Sequence, residues 1–289
     1  MSKFIPWNSQ PLDDWAKKHA KGKFIDLNGR KTHYIEKGDG EPVILLHGFN
    51  YDSYMWETNI DILAEQFKVY ALDLWGFGYS TREPMDYGYQ LYVDQVSMFM
   101  NSLGIPVASF VGQSMGGGTA IQFCVQQRQK VNKLILVAPG GMPHGFPLVA
   151  KIFNLPGVGE FFLSLNVNVI RKKNLADFFI HNGELLSESY FENASRYQKV
   201  KGTNESALSV LRKQFFQTLS NEIEQLAKLN VPILIIWGRE DKGIPLSCGI
   251  EMHQILKGSR LEILDNAGHV PNFERSDEFN KLSISFLQE

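Results

Sequence analysis

Residues Gly112-Gln113-Ser114-Met115-Gly116 decide the reading of this chain. They follow the apolar run Val107-Ala108-Ser109-Phe110-Val111 and open a segment in which Ala120, Ile121 and Cys124 recur at helical spacing. A strand, a sharp turn and a helix in that order put the Ser114 hydroxyl at the tip of the turn. The flanking glycines suit a strained turn whose backbone passes too close to its neighbours for a side chain. Gly116-Gly117-Gly118 then lets a helix lie tightly on a sheet.

A nucleophilic serine needs a base, and the base needs an orienting acid. With the serine in a Gly-x-Ser-x-Gly turn, both follow later in the chain, acid first. The acid candidate is Asp241, in Trp237-Gly238-Arg239-Glu240-Asp241, directly after the apolar run 231–236. The base candidate is His269, in Ala267-Gly268-His269, shortly after the strand-like run 260–264. Both fall where open parallel sheets keep their chemistry, at the carboxyl ends of strands. Attack on a carbonyl develops an oxyanion, so two backbone N–H groups must already point at it. These are expected from Met115, which follows the serine, and from Phe49, in His47-Gly48-Phe49 after the run 43–46. Gly48 permits the close approach, and His47, beneath the site, reads as structural.

At these residues the chain resembles the α/β-hydrolase superfamily, from Phe24 to Leu287. The resemblance implies a Ser114, Asp241, His269 triad and a Phe49, Met115 oxyanion hole. It also implies a structural role for Asp73 in Asp73-Leu74-Trp75-Gly76-Phe77-Gly78-Tyr79-Ser80, which is similar to the family's strand-end loop. Epoxide hydrolases and haloalkane dehalogenases share the outline but use an aspartate as nucleophile, and position 114 is serine. The segments 114–120, 134–141 and 238–241 resemble hydrolases that cleave carbon–carbon bonds in ring-fission (meta-cleavage) products. That group usually has a Gly-rich stretch after the His-Gly, an asparagine before the serine and a tryptophan after the histidine. Here those places hold Phe49-Asn50-Tyr51, Gln113 and Val270.

The departures make a carboxylesterase for short to medium acyl chains the expected function, working through an acyl-enzyme. Carbon–carbon hydrolysis of a meta-cleavage product is the alternative, and one site could serve both. A small-molecule receptor built on the same fold is a reading of another class.

The fold class expected is α/β, with a mostly parallel central sheet covered by helices on both faces and a helical cap inserted into it. Short apolar runs near 43–46, 69–72, 107–111, 133–137, 232–237 and 260–264 supply the strands. The runs 23–27 and 31–36 form a hairpin about Asn28-Gly29, the preferred two-residue turn. The interval after Pro139 lacks a convincing strand, and the segments 185–197 and 204–219 look helical, as does 274–287. The division expected is 1–139 for the first part of the core, 140–230 for the cap and 231–289 for the second part. Gly48, Gln113, Phe146, Phe153 and Val270 are the expected pocket residues, because a cleft between two units is where apolar ligands bind.

With 289 residues and 44% hydrophobic content the chain can bury a substantial core. A formal charge of −2 with scattered Lys and Arg offers no face for nucleic acid. Arg171 and Arg196 are the cap cations nearest in sequence to meet a substrate carboxylate, and Arg171-Lys172-Lys173 reads as a solvated run. His33, His181 and His253 show no metal-ligand spacing, so neither a metal nor a cofactor is expected. Only Cys124 and Cys248 are present, Cys124 on a buried stripe, which argues against a disulfide and for the cytoplasm. No apolar run approaches a membrane span. The oligomeric state is open.

Overall fold

The computed structural model describes residues 5–145, 152, 154–165, 168, 171–173, 175, 179–213 and 217–289. Phe146 and Phe153 lie outside them. The sheet begins with β1 (Lys23–Leu27) and β2 (Arg30–Lys37), paired antiparallel. Asn28 (φ 55°) and Gly29 (φ 83°) both occupy the left-handed region, as a two-residue turn matched to strand twist requires. The other strands are β3 (Pro42–Leu46), β4 (Lys68–Leu72), β5 (Ala108–Gln113), β6 (Val131–Val137), β7 (Ile233–Gly238) and β8 (Arg260–Leu264). They complete an eight-stranded sheet in the order β1-β2-β4-β3-β5-β6-β7-β8. β2 meets β4 antiparallel, and every pairing beyond it is parallel.

The central strands are apolar without interruption because both faces are covered. Alternate residues enter different cores. Ile44, Leu46, Phe110, Leu134, Leu136, Ile235 and Trp237 pack on one face. Val43, Leu45, Val111, Ile135, Val137, Leu234 and Ile236 pack on the other. The helices Tyr89–Ser102 and Met115–Gln126 bury residues in the first cluster, and Ser276–Gln288 in the second.

Element boundaries moved where other bonds competed with the periodic pattern. β5 starts at Ala108, with Val107 exposed, and runs on to Gln113, directly against Ser114. The helix expected over 185–197 is confined to Glu188–Ser195, because the Ser187 hydroxyl accepts the Tyr190 N–H and starts it there. The one expected over 204–219 covers Thr203–Lys213. Leu219 is instead drawn to Gly141, donating its N–H to that carbonyl at 2.8 Å. The last helix is divided into Pro271–Glu274 and Ser276–Gln288, with Arg275 (φ −128°, ψ 49°) outside helical values.

Between β6 and β7 the described residues are helical or irregular and contain no strand of the sheet. The beginning of the chain joins this insertion. Asn8 N–H donates to Gln198 O (3.0 Å), Ser9 and Gln10 N–H donate to Lys199 O (both 2.8 Å), and Lys201 N–H donates to Gln10 O (2.8 Å). Cys124 and Cys248 are buried free thiols. Among the described residues no helix is long and apolar enough to cross a membrane.

Candidate active site

Ser114 sits between β5 and the helix Met115–Gln126 with φ 51° and ψ −114°, a conformation costly for a residue with a side chain. It persists because the surroundings over-determine it. Ser114 N–H donates to Val137 O at 2.9 Å, while its own carbonyl accepts from Gly118 N–H (3.0 Å) and Gly140 N–H (2.8 Å). The glycines are required by contact. A Cβ on Gly112 would meet the Gly116 carbonyl at 2.5 Å, and one on Gly117 would meet Pro139 Cβ at 2.6 Å. A Cβ on Gly116 would run into the backbone carbonyls of Leu46 and His47. One on Gly48 would collide with the Gln113 amide oxygen and stand 3.2 Å from Ser114 Cβ, so the His-Gly turn lies against the serine. Phe49 is half-buried, edge-on to Phe77 at 5.9 Å, and Met115 is buried.

Asp241 and His269 come together at the ends of neighbouring strands. His269 Nδ1 lies 2.8 Å from Asp241 Oδ2, with the two residues 3% and 9% exposed. The other carboxylate oxygen, Oδ1, accepts from Gly243 N–H (2.7 Å) and Ile244 N–H (2.9 Å), which fixes the carboxylate plane. The neighbouring Glu240 has a different task. Its Oε2 accepts from Ala267 N–H at 3.1 Å, and its N–H donates to Ala267 O at 3.0 Å. A Cβ on Gly238 would strike the carbonyls of Ala267 and Gly268, so β7 and the histidine loop are in backbone contact.

His47 is fully buried, and both ring nitrogens are occupied. Nε2 accepts from Leu74 N–H (3.0 Å), which leaves Nδ1 to donate to Gly48 O (2.8 Å). Burial lowers its pKa, so the neutral ring braces the turn. Asp73, with no exposed surface, anchors the loop after β4. Its oxygens accept from His33 Nδ1 (2.7 Å), Ser53 N–H (2.8 Å) and Tyr79 N–H (2.7 Å). Burial alone would raise this carboxyl, but His33 outweighs it and the pKa falls to about 2.

Of the expected pocket residues, Gly48 is buried against Ser114. Gln113 is 1% exposed and turned toward the histidine loop, donating from Nε2 to His269 O at 2.7 Å. Val270, also 1% exposed, packs in the second core cluster. Phe161 and Phe162 face outward, 61% and 50% exposed. Arg171 is not a solvated residue. It is half-buried, 4.7 Å from the centroid of the Trp7 ring, and donates to Gln198 Oε1 (2.8 Å), Leu163 O (3.2 Å) and Asn204 Oδ1 (3.4 Å). Among the described residues it pairs with no carboxylate. Arg196 bonds the Asn193 side chain.

Three residues at the site carried no signal in the sequence. Phe179, from the insertion, accepts the His269 N–H at 2.9 Å, and its ring centroid lies 5.7 Å from the imidazole. Asn50 (φ 61°), next to Phe49, accepts from Gln198 Nε2 at 3.2 Å. Glu274 bonds the backbone of the histidine loop at Gly268 and of the insertion at His181 and Asn182.

This chain belongs to the alpha/beta hydrolase fold family, whose model matches residues 41–276. It is 30% identical, over 94% of its own length and 96% of the relative's, to 2-hydroxy-6-oxo-6-phenylhexa-2,4-dienoate hydrolase of Comamonas testosteroni. It is also 30% identical to the dihydrolipoyllysine-residue acetyltransferase component of the acetoin cleaving system of Cupriavidus necator, covering 94% of this chain and 71% of that one. A solved meta-cleavage product hydrolase from Pseudomonas fluorescens superposes with a TM-score of 0.80 at 27% identity, covering 92% of this chain and 97% of the other.

Proposed function

We propose that the protein is a serine hydrolase that cleaves carboxylic esters of short to medium acyl chain through an acyl-enzyme. The observation that carries this reading is the His269–Asp241 pair. A buried imidazole whose Nδ1–H is held by a fixed carboxylate keeps Nε2 free to accept a proton. His269 takes the Ser114 proton as Oγ attacks the ester carbonyl, and the Phe49 and Met115 N–H groups hold the oxyanion. As the tetrahedral adduct collapses, the carbon–oxygen bond to the alcohol breaks and His269 returns the proton to the alcohol oxygen. Water, deprotonated by His269, then attacks the acyl-enzyme, the bond from the acyl carbon to Ser114 Oγ breaks, and His269 returns the proton to Oγ as the acid leaves. In this reading the insertion, residues 140–230, is the cap over the site. The test is a panel of nitrophenyl esters of graded chain length. Rates should rise with chain length and then fall, since each buried methylene contributes about 0.8 kcal/mol until the pocket is full. No ester turnover at any length would overturn it.

A second reading, hydrolysis of a carbon–carbon bond in a ring-fission dienoate, is favoured by the half-buried Arg171, whose hydrogen-bond acceptors among the described residues are neutral. A carboxylate that leaves water needs such a cation. The names of the relatives from Comamonas testosteroni and Pseudomonas fluorescens point the same way. Here Arg171→Ala should weaken dienoate turnover far more than turnover of an uncharged ester. Equal effects on both substrates favour the esterase.

A further inference from the structure

The loop that carries His269 is not held by the core alone. Glu274, half-buried at the end of the short helix Pro271–Glu274, uses its two carboxylate oxygens on different partners. Oε1 accepts from Gly268 N–H at 2.7 Å, directly before the histidine. Oε2 accepts from His181 N–H (2.7 Å) and Asn182 N–H (2.9 Å), both in the insertion. The His269 N–H itself is satisfied by the insertion, through Phe179 O. One residue before Glu274, Phe273 stacks on Tyr190 of the insertion, with centroids 4.3 Å apart and planes at 23°.

The post on which the carboxylate stands is firm. Asn272, fully buried, donates to Met55 O (3.1 Å), and its carbonyl accepts from Asn59 Nδ2 (2.9 Å). Asn59 Nδ2 also reaches Asn280 Oδ1 (2.8 Å) in the last helix. With Glu274 anchored below, the two parts it grips above are Gly268 and the segment 181–182. Room is scarce there, because a Cβ on Gly268 would approach His181 N at 2.9 Å and Phe179 O at 3.0 Å.

We propose that Glu274 is a positioning residue through which the insertion sets the place of His269, so that the base is fully aligned only while segment 179–182 is seated. The inference rests on His269 being the general base. Geometry favours it over simple adhesion, because the carboxylate grips the base's own loop and the insertion together. Burial raises the Glu274 pKa against three N–H bonds that lower it, a cost accepted at a joint between two backbones.

Glu274→Gln keeps the size but turns one oxygen into a donor facing an N–H. It should lower kcat by about tenfold to a hundredfold, the scale of a misplaced catalytic group, with KM changed less than about twofold. Amide hydrogen exchange should accelerate together at His181, Asn182, Gly268 and His269. Val131→Ala, at the far end of β6, controls for lost stability and should change neither. Normal kcat, or unchanged exchange at Gly268 and His269, would overturn the proposal. If Glu274→Gln does not fold, Asn182→Pro removes one donor from the insertion side, and an unaltered kcat in that variant overturns it equally. Hydrogen exchange reads the joint whether or not Ser114 is the nucleophile. Failure of the triad reading, shown by activity surviving Ser114→Ala, is therefore distinguishable from failure of this one.

Discussion

The side-chain amide of Gln113 donates to the backbone carbonyl of His269 at 2.7 Å, joining the residue before Ser114 to the histidine loop across 156 positions of sequence. The Ser114 turn and the histidine loop are thereby held by one buried hydrogen bond, and the glutamine at a position where ring-fission hydrolases usually carry asparagine has a structural reason. Its amide oxygen lies where a Gly48 side chain would begin, so three parts of the site meet at this one residue.

Gln113→Asn shortens the reach by one methylene and leaves the His269 carbonyl without its donor. An unsatisfied buried group costs about 1–3 kcal/mol. Urea unfolding should register that loss, and kcat should fall with KM little changed. Wild-type stability and kcat together would show that the bond does not matter.

Ser114→Ala should lower ester turnover on the order of 10³-fold or more while the protein stays folded, because the parts of a triad act as a unit. The change removes a hydroxyl from a half-buried turn and opens no core cavity. Circular dichroism and a nitrophenyl ester assay on the same sample check both halves of this expectation.

Asp241→Asn should lower kcat far more than Glu240→Gln, since Asp241 and not Glu240 bonds the imidazole and selects its tautomer. Glu240 bonds the Ala267 backbone instead, so its replacement should appear mainly as lost stability. A larger kcat loss from Glu240→Gln would reverse the two roles.

Asp73→Asn breaks a fully buried pair with His33 and should cost about 3–5 kcal/mol of stability near neutral pH. The sign of the pH dependence follows from the shifts. The Asp73 pKa falls to about 2 in the fold, so its contribution is complete above the unfolded carboxylate value and is lost as pH drops toward 2. For His33, burial lowers the pKa, but the Asp73 charge and hydrogen bond outweigh it and the net shift is upward. Its contribution is therefore present below the unfolded histidine value and is lost as pH rises through the folded one. The gap between wild type and variant should be widest between about pH 4 and 6.5, the ordinary carboxylate and imidazole values. Unfolding curves taken at pH 3, 5 and 8 test this, and an equal gap at all three would rule the charge pair out as its source.

Much of the fold was legible because its causes are local. Asn28-Gly29 specifies a turn by backbone conformation alone, and the apolar runs mark strands covered on both faces. The runs 23–27 and 260–264 became strands with those same bounds, and the others shifted by one or two residues. Helix ends were harder to read. Ser187 and Leu219 chose partners that periodicity does not weigh, a cap bond and the Gly141 carbonyl.

By itself, then, the sequence determined the order of strands and helices and the placing of Ser114, Asp241 and His269 each just past a strand. Period-two and helical patterns act over a few residues and survive without knowledge of the rest of the chain. Only the tertiary structure decided what those loops rest on. Gln113 meets His269 O, Glu274 meets His181 and Asn182, Arg171 meets Gln198, and residues 8–10 pair with 198–201. Such contacts join segments far apart in the chain and depend on how the sheet's edges, the insertion and the chain's beginning close on one another. No local pattern carries that distance, because a buried carboxylate or amide takes whichever backbone groups the finished packing leaves without partners.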